Sequence, residues 1–454
     1  MQTDARDITM SGATANSAEL YEKALTQFQC YVGDPIETID SALAEAPDFA
    51  MGHLLRAAVL TTLAERSVIP EIDASLEAVA ALSGRTTERE RGLAAGLDRC
   101  AKGDWDTAQM AMDHVLTEFP RDALTIQTAH LMDFYRGDAL NLRNRISRVR
   151  PHWSPSVPGY SYILGMHAFG LEECNQYREA EETARQALDI EPRDGWAVHA
   201  GAHVMEMQGR TEDGIYWMET RQQDWAPDNG LAFHNWWHLA LYYLEQQRYD
   251  GMFEIFDREI HPEPAEYALQ LVDVTAMLWR LHLLGIDTGD RFQKAADDWE
   301  KKIDEEAGFY AFNDYHALMA FLGAGRHERA EQVFEAMNGV IREGSGRNVM
   351  MTREVGLPLC DGVKAFAEGR YDDAIQAIEP VRDGANRFGG SHAQRDIITL
   401  TLIESALRAG RDKVAEHYIA ERTVHKPSGG LGWRLRARCG SGRSDGAETT
   451  RNAA

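Results

Sequence analysis

Gln176-Tyr-Arg-Glu-Ala-Glu-Glu-Thr-Ala-Arg-Gln-Ala-Leu-Asp-Ile-Glu-Pro192 decides the fold of this chain. An aromatic residue opens an alanine-rich helix, Ala-Leu closes it, and proline stops it because proline has no amide hydrogen to donate. The small alanines let two helices approach closely. Gly103-Asp-Trp-Asp-Thr-Ala-Gln-Met-Ala-Met-Asp-His-Val-Leu-Thr-Glu-Phe-Pro120 has the same plan. So do the six residues ending at Pro47 and the segment Gly369-Arg-Tyr-Asp-Asp-Ala-Ile-Gln-Ala-Ile-Glu-Pro380. Pro47, Pro120 and Pro192 lie 73 and 72 residues apart, two units of about 36 each. That period, with Gly-x-Tyr-x-x-Ala in the turn, is the tetratricopeptide pattern of stacked helical hairpins.

The rest of the chain agrees. Helical periodicity covers 19–29, 38–46, 51–65 and 107–118, and strand alternation is almost absent. Short turns such as Gly137-Asp, Gly209-Arg and Gly410-Arg-Asp separate the segments. The stretches 150–158 and 339–352 interrupt the period, so the repeats are degenerate. The expected architecture is all-α: one right-handed tetratricopeptide-like solenoid over 17–440, closed enough to enclose a central cavity. Residues 1–16 and the tail 441–454 are polar and expected to be disordered.

Charge and cysteine usage narrow the function. The 454 residues carry 72 acidic and 47 basic side chains, net -25. Such a surface repels nucleic acid and anionic membranes, so neither is an expected partner. The five cysteines are scattered with no Cys-x-x-Cys pair, which points to a reducing compartment and away from a cysteine zinc site. With no basic-then-apolar leader and no apolar run of about 18 residues, a cytoplasmic protein is expected.

Two histidine pairs carry the chemistry. His199 and His203 lie in Trp196-Ala-Val-His-Ala-Gly-Ala-His-Val-Met-Glu-Met-Gln-Gly-Arg210, and His234 and His238 in Phe233-His-Asn-Trp-Trp-His-Leu-Ala-Leu-Tyr-Tyr-Leu-Glu245. Four-residue spacing stacks each pair on one helix face, and the pairs are 35 residues apart, one repeat. In the repeat frame His199, His203 and Glu206 fall on the groove-facing side of a first helix. The second pair sits on the neighbouring first helix. Counting forward from Pro192 puts it in register with the first pair; counting back from Tyr249 shifts it by about three positions.

Phe388-Gly-Gly-Ser-His-Ala-Gln-Arg-Asp396 is a glycine turn opening a helix, with Ser391 as N-cap. Its His392 and Arg395 suit an anion at a helix N-terminus. The expected site has His199, His203, Glu206, His234, His238 and His392 as catalytic groups. Arg395, Asp396, Trp237 and His316 would hold a small polar molecule bearing a carboxylate. Two chemistries are open: histidine acid–base work, with Glu206 or Asp396 fixing tautomers, or metal-assisted hydrolysis. The motif is His-Ala-Gly-Ala-His rather than His-Glu-x-x-His, so a metalloprotease base is not in its usual place. No cofactor is required, and a divalent metal is an option. Asp273 and Arg280 read as an ion pair. The bland reading of the histidines is a polar network fixing the repeat interface. The alternative function is a scaffold gripping a peptide in its groove. The apolar ends of a solenoid can also pair, which leaves a homodimer open.

His199-Ala-Gly-Ala-His-Val-Met-Glu-Met-Gln-Gly-Arg210, His234-Asn-Trp-Trp-His-Leu-Ala-Leu241 and Gly389-Gly-Ser-His-Ala-Gln-Arg-Asp396 together resemble the tetratricopeptide repeat protein 38 family. The resemblance runs over about 18–436. It implies an all-helical degenerate repeat fold in a soluble protein, and it supplies no reaction and no catalytic residue.

Overall fold

The computed structural model describes residues 2–427 and 429–439. Helices run from Ala15 to Arg438 and pair into consecutive hairpins. The expected helices stand at Ala15–Cys30, Pro35–Glu45, Ala50–Thr61 and Trp105–Glu118. The third stops short of the expected 65 because Ala64 turns left-handed, with φ 53°. That turn frees Glu65 to reach the far side of the molecule. The hairpin turns need glycine for the same reason. Gly137 has φ 63°, and a Cβ there would lie 1.6 Å from the Asn386 carbonyl oxygen.

First and second helices of the hairpins do different work. Ala123–Tyr135, Tyr160–Glu173, Gly195–Met207, Ala232–Glu245 and Ala268–Leu283 are buried nearly all round. Their partners, such as Tyr177–Ile190 and Arg291–Glu306, bury one stripe and expose the rest. A helix apolar on every side must be covered on every side. The inner layer is therefore packed, and this corrects the expectation of an enclosed central cavity at the histidine-bearing helices. Ala268–Leu283 and Gly195–Met207 both pack on His392–Arg408 from the C-terminal repeats.

Long-range polar contacts close the superhelix. The Glu306 carboxylate accepts from the backbone N–H groups of Arg66, at 2.6 Å, and Ser67, at 2.9 Å. Glu65 accepts from the Ala268 N–H at 2.6 Å and from Lys302 at 2.8 Å. The Tyr310 hydroxyl donates to the Tyr135 carbonyl at 3.0 Å. These pairs are more than 170 residues apart in the chain.

The N-terminus is ordered, contrary to expectation. Gln2–Thr3 and Thr9–Met10 form a small antiparallel hairpin. It is fixed by charge: buried Arg89 donates to Asp4 at 2.8 Å, Arg6 pairs with Glu22, and Glu90 receives the Ser11 N–H at 2.8 Å. Asp4 and Arg6, in a segment expected to be disordered, are interior partners. The expected disordered tail 441–454 lies outside the described residues. Among the described residues, no helix is long and apolar enough to cross a membrane.

Candidate functional site

Asp194 starts the helix that carries the first pair. Its carboxylate caps the N–H groups of Trp196 and Ala197 at 3.1 and 3.0 Å, and burial raises it to about 7. The helix Gly195–Met207 then stacks His199 and His203 with ring centroids 4.4 Å apart. Ala232–Glu245 presents His234 and His238 beside them. His199 faces His234 at 4.8 Å between centroids, and His203 faces His238 at 4.5 Å. Pair thus meets pair in register, which settles the three-residue ambiguity in favour of counting from Pro192.

Each of three rings has its own buried carboxylate. His234 Nδ1 lies 2.6 Å from Asp273, and His238 Nδ1 lies 3.0 Å from Glu206. His203 Nδ1 lies 3.4 Å from Glu172. His234 Nε2 meets His199 Nε2 at 3.0 Å. One nitrogen of each imidazole is drawn together, so that four donor atoms lie within 4.8 Å of one another. The rings are 0 to 8 % exposed. Among the described residues, His199 Nδ1, both nitrogens of His203, His238 Nε2 and both oxygens of Glu172 have no hydrogen-bond partner. An unsatisfied buried polar group costs about 1–3 kcal/mol, so this cluster is expensive as it stands.

The electrostatics favour neutral rings at His199, His203 and His238. Burial, reinforced by the neighbouring histidines, lowers His199 and His238 well below the ordinary imidazole value. Burial takes His203 down to about 4. Glu172 is raised well above the carboxylate range by burial and by adjacent Glu173. Burial would raise Glu173 too, yet the charges of His392 and Arg395 hold it below its ordinary value.

The remaining expected residues go elsewhere. His392 donates its backbone N–H to Glu173 at 2.8 Å, so it touches the cluster's carboxylate flank and not the four rings. Arg395 is engaged by Glu173 at 3.2 Å and by the Gly390 carbonyl, which removes it as a holder of a substrate carboxylate. Asp396 binds Arg422 at 2.9 Å and Lys426 at 3.3 Å, so it fixes no histidine tautomer; Glu206 does. His316 is a core residue, bonded to the Phe312 carbonyl at 2.8 Å and packed on Phe312 and Tyr315. Trp237 stacks on His234, with planes 11° apart, and covers the cluster from that side. Asp273 and Arg280 do not pair: Asp273 serves His234, and Arg280 donates to the carbonyls of Ala276 and Ala393.

Glu172, Glu173 and Lys426 are participants that sequence reasoning missed. Lys426 donates to Glu206 at 2.9 Å. Burial pulls its ammonium down, but Asp396 and Glu206 outweigh burial and hold it above its ordinary value. The available signal was two adjacent carboxylates ending the apolar helix Tyr160–Glu173.

The chain is a tetratricopeptide-type helical solenoid. No protein-family model matches it. Among solved structures it is similar to the human IFIT1 dimer with m7Gppp-AAAA, at 13% identity and TM-score 0.45, over 95% of both chains. It is also similar to yeast Tom70, at 13% identity and TM-score 0.37, over 94% of this chain and 88% of that one. A tetratricopeptide repeat protein from Parabacteroides merdae matches at 14% identity and TM-score 0.31, over 69% of this chain and 98% of that one.

Proposed function

We propose that this chain is a helical-repeat binding protein whose working part is the buried histidine cluster, called the histidine chamber below although its rings pack on one another. One observation carries the reading: four imidazoles from two successive repeats bring one nitrogen each within 4.8 Å of one another, three of the four rings keep a nitrogen without a partner, and three are backed by their own carboxylate. The rings are in mutual contact, so the ligand is compact. This argues against the small carboxylate-bearing molecule expected from the sequence, whose expected holder Arg395 is engaged by Glu173. Membership of the tetratricopeptide repeat protein 38 family is part of the proposal, resting on the three motifs that build the chamber and its flank. The test is thermal unfolding of wild type, His203→Ala and His238→Ala against a panel of divalent cations and small polar metabolites. A stabilising response in wild type that both variants lack supports the reading. Equal responses in all three remove it.

A second reading, a protein-interaction scaffold, is favoured by the repeat architecture itself. It needs an outer surface, because the inner helices are covered. A cleft of about 440 Å³ beside Asp257, His261, Arg291, Lys294 and Lys301 is a surface feature of that kind. Under this reading Lys294→Glu with Lys301→Glu alters partner binding, while His203→Ala does not.

A further inference from the structure

The chamber's donor set names its ligand more closely. We infer that His199, His203, His234 and His238 form a binding site for one divalent transition-metal ion. The inference rests on the chamber reading above and goes beyond it by fixing the class of ligand.

Three observations converge. The first is the donor type. Imidazole nitrogens suit zinc, iron, copper and nickel, whereas calcium and magnesium want oxygen. The second is the second shell. A metal-bound histidine commonly donates its other N–H to a carboxylate, which fixes the tautomer and raises the basicity of the ligating nitrogen. Here Asp273 takes His234 Nδ1 at 2.6 Å and Glu206 takes His238 Nδ1 at 3.0 Å. Glu172 stands 3.4 Å from His203 Nδ1. These carboxyl groups are themselves buried.

The third is spacing. Four nitrogens held about 2.0–2.1 Å from a tetrahedral ion sit roughly 3.3 Å apart. The Nε2 atoms of His199 and His234 are 3.0 Å apart, and one nitrogen from each of the four rings lies within 4.8 Å of the others. A purely structural histidine network would be expected to satisfy its members with one another. Instead His203 keeps both nitrogens, and His238 keeps Nε2, without a partner.

The carboxylate pair at the flank makes a poorer metal site. Glu172, Glu173 and His203 also cluster, but Glu173 is already held by Arg395 and by the backbone N–H of His392. That cluster acts as support for the histidine site.

The experiment starts with elemental analysis of the full-length chain purified without chelator from cells supplied with zinc, iron, manganese and cobalt. The chain is then stripped and titrated with Co²⁺, read by visible ligand-field absorption, and with Zn²⁺ in competition. About one equivalent per chain is expected. Glu206→Gln should weaken binding by about 10–100-fold and His238→Ala by more than that. The exposed His417→Ala should bind as wild type does. Circular dichroism identifies variants that fold; if His238→Ala does not, the conservative His238→Gln takes its place. Folded wild type that holds no metal and takes up none overturns the metal site. So does cobalt binding that survives in folded His203→Ala/His238→Ala. If metals fail while a small polar molecule shifts wild type and not the variants, the chamber reading stands and the metal inference alone falls. If neither class responds, both fall.

Discussion

His199 and His234, on the inner helices of successive repeats, meet Nε2 to Nε2 at 3.0 Å. Asp273 accepts from the other nitrogen of His234, so a neutral His234 turns the lone pair of Nε2 toward His199. His199 must then donate from Nε2, leaving its Nδ1 bare, or share an electron-pair acceptor with His234. The second arrangement makes the carboxylate a tuning element. Asp273→Asn is expected to keep the fold and to lower Co²⁺ affinity about 10–100-fold, measured by titration of the stripped protein. Unchanged affinity would mean that Asp273 orients nothing the metal feels.

Lys426 joins Glu206 and Asp396, and Arg422 joins Asp396 at 2.9 Å and Glu245 at 2.5 Å, so the Asp412–His425 helix and the residue after it are bolted to the histidine helices. Lys426→Met removes one buried cation and its ion pair with Glu206, while Asp396 keeps Arg422. Breaking such a pair costs about 3–5 kcal/mol. Equilibrium urea unfolding should report a loss in that range, and a loss below 1 kcal/mol would show that water reaches the pair.

Closure of the superhelix depends on single carboxylates. Glu306→Ala leaves the N–H groups of Arg66 and Ser67 without their acceptor, at about 1–3 kcal/mol. Hydrogen exchange should accelerate around 61–67 and 303–309, with the Gly195–Met207 helix unaffected.

The Asp194 carboxyl, raised to about 7 by burial, makes stability depend on pH. Its folded-state value lies above its unfolded one, so the folded chain holds a proton that the unfolded chain releases. The stabilisation is complete below about pH 4 and disappears as pH rises through 7. Asp194→Asn keeps an N-cap and removes the titration. The difference in melting temperature between wild type and the variant should therefore favour wild type more at pH 5 than at pH 8. A pH-independent difference would place this carboxyl in the ordinary range.

The repeat fold was legible because it is local. Proline at the helix ends, glycine in the turns and the near-36-residue period each act within one hairpin, and the histidine pairs inherited their shared face from four-residue spacing. Partnership was less legible. Glu172 and Asp273 come from two other helices and Lys426 from just past the end of a third, and no local pattern says which partner each of them meets. Arg395 and Asp396 were misassigned for the same reason. Each looked free to meet a ligand, and each is spent on an opposite charge brought in from far along the chain. The N-terminal charges followed suit, since Asp4 finds Arg89 only after the first hairpins stack.

The sequence by itself determined an all-helical hairpin array and which four histidines share a side of it, because backbone period and turn chemistry are properties of neighbouring residues. Only the tertiary structure decided that the array closes on a packed interior, that the two pairs meet in register, and that buried carboxylates stand behind them. Those outcomes depend on which charges must find one another once water is excluded, and burial sets that balance across the whole chain.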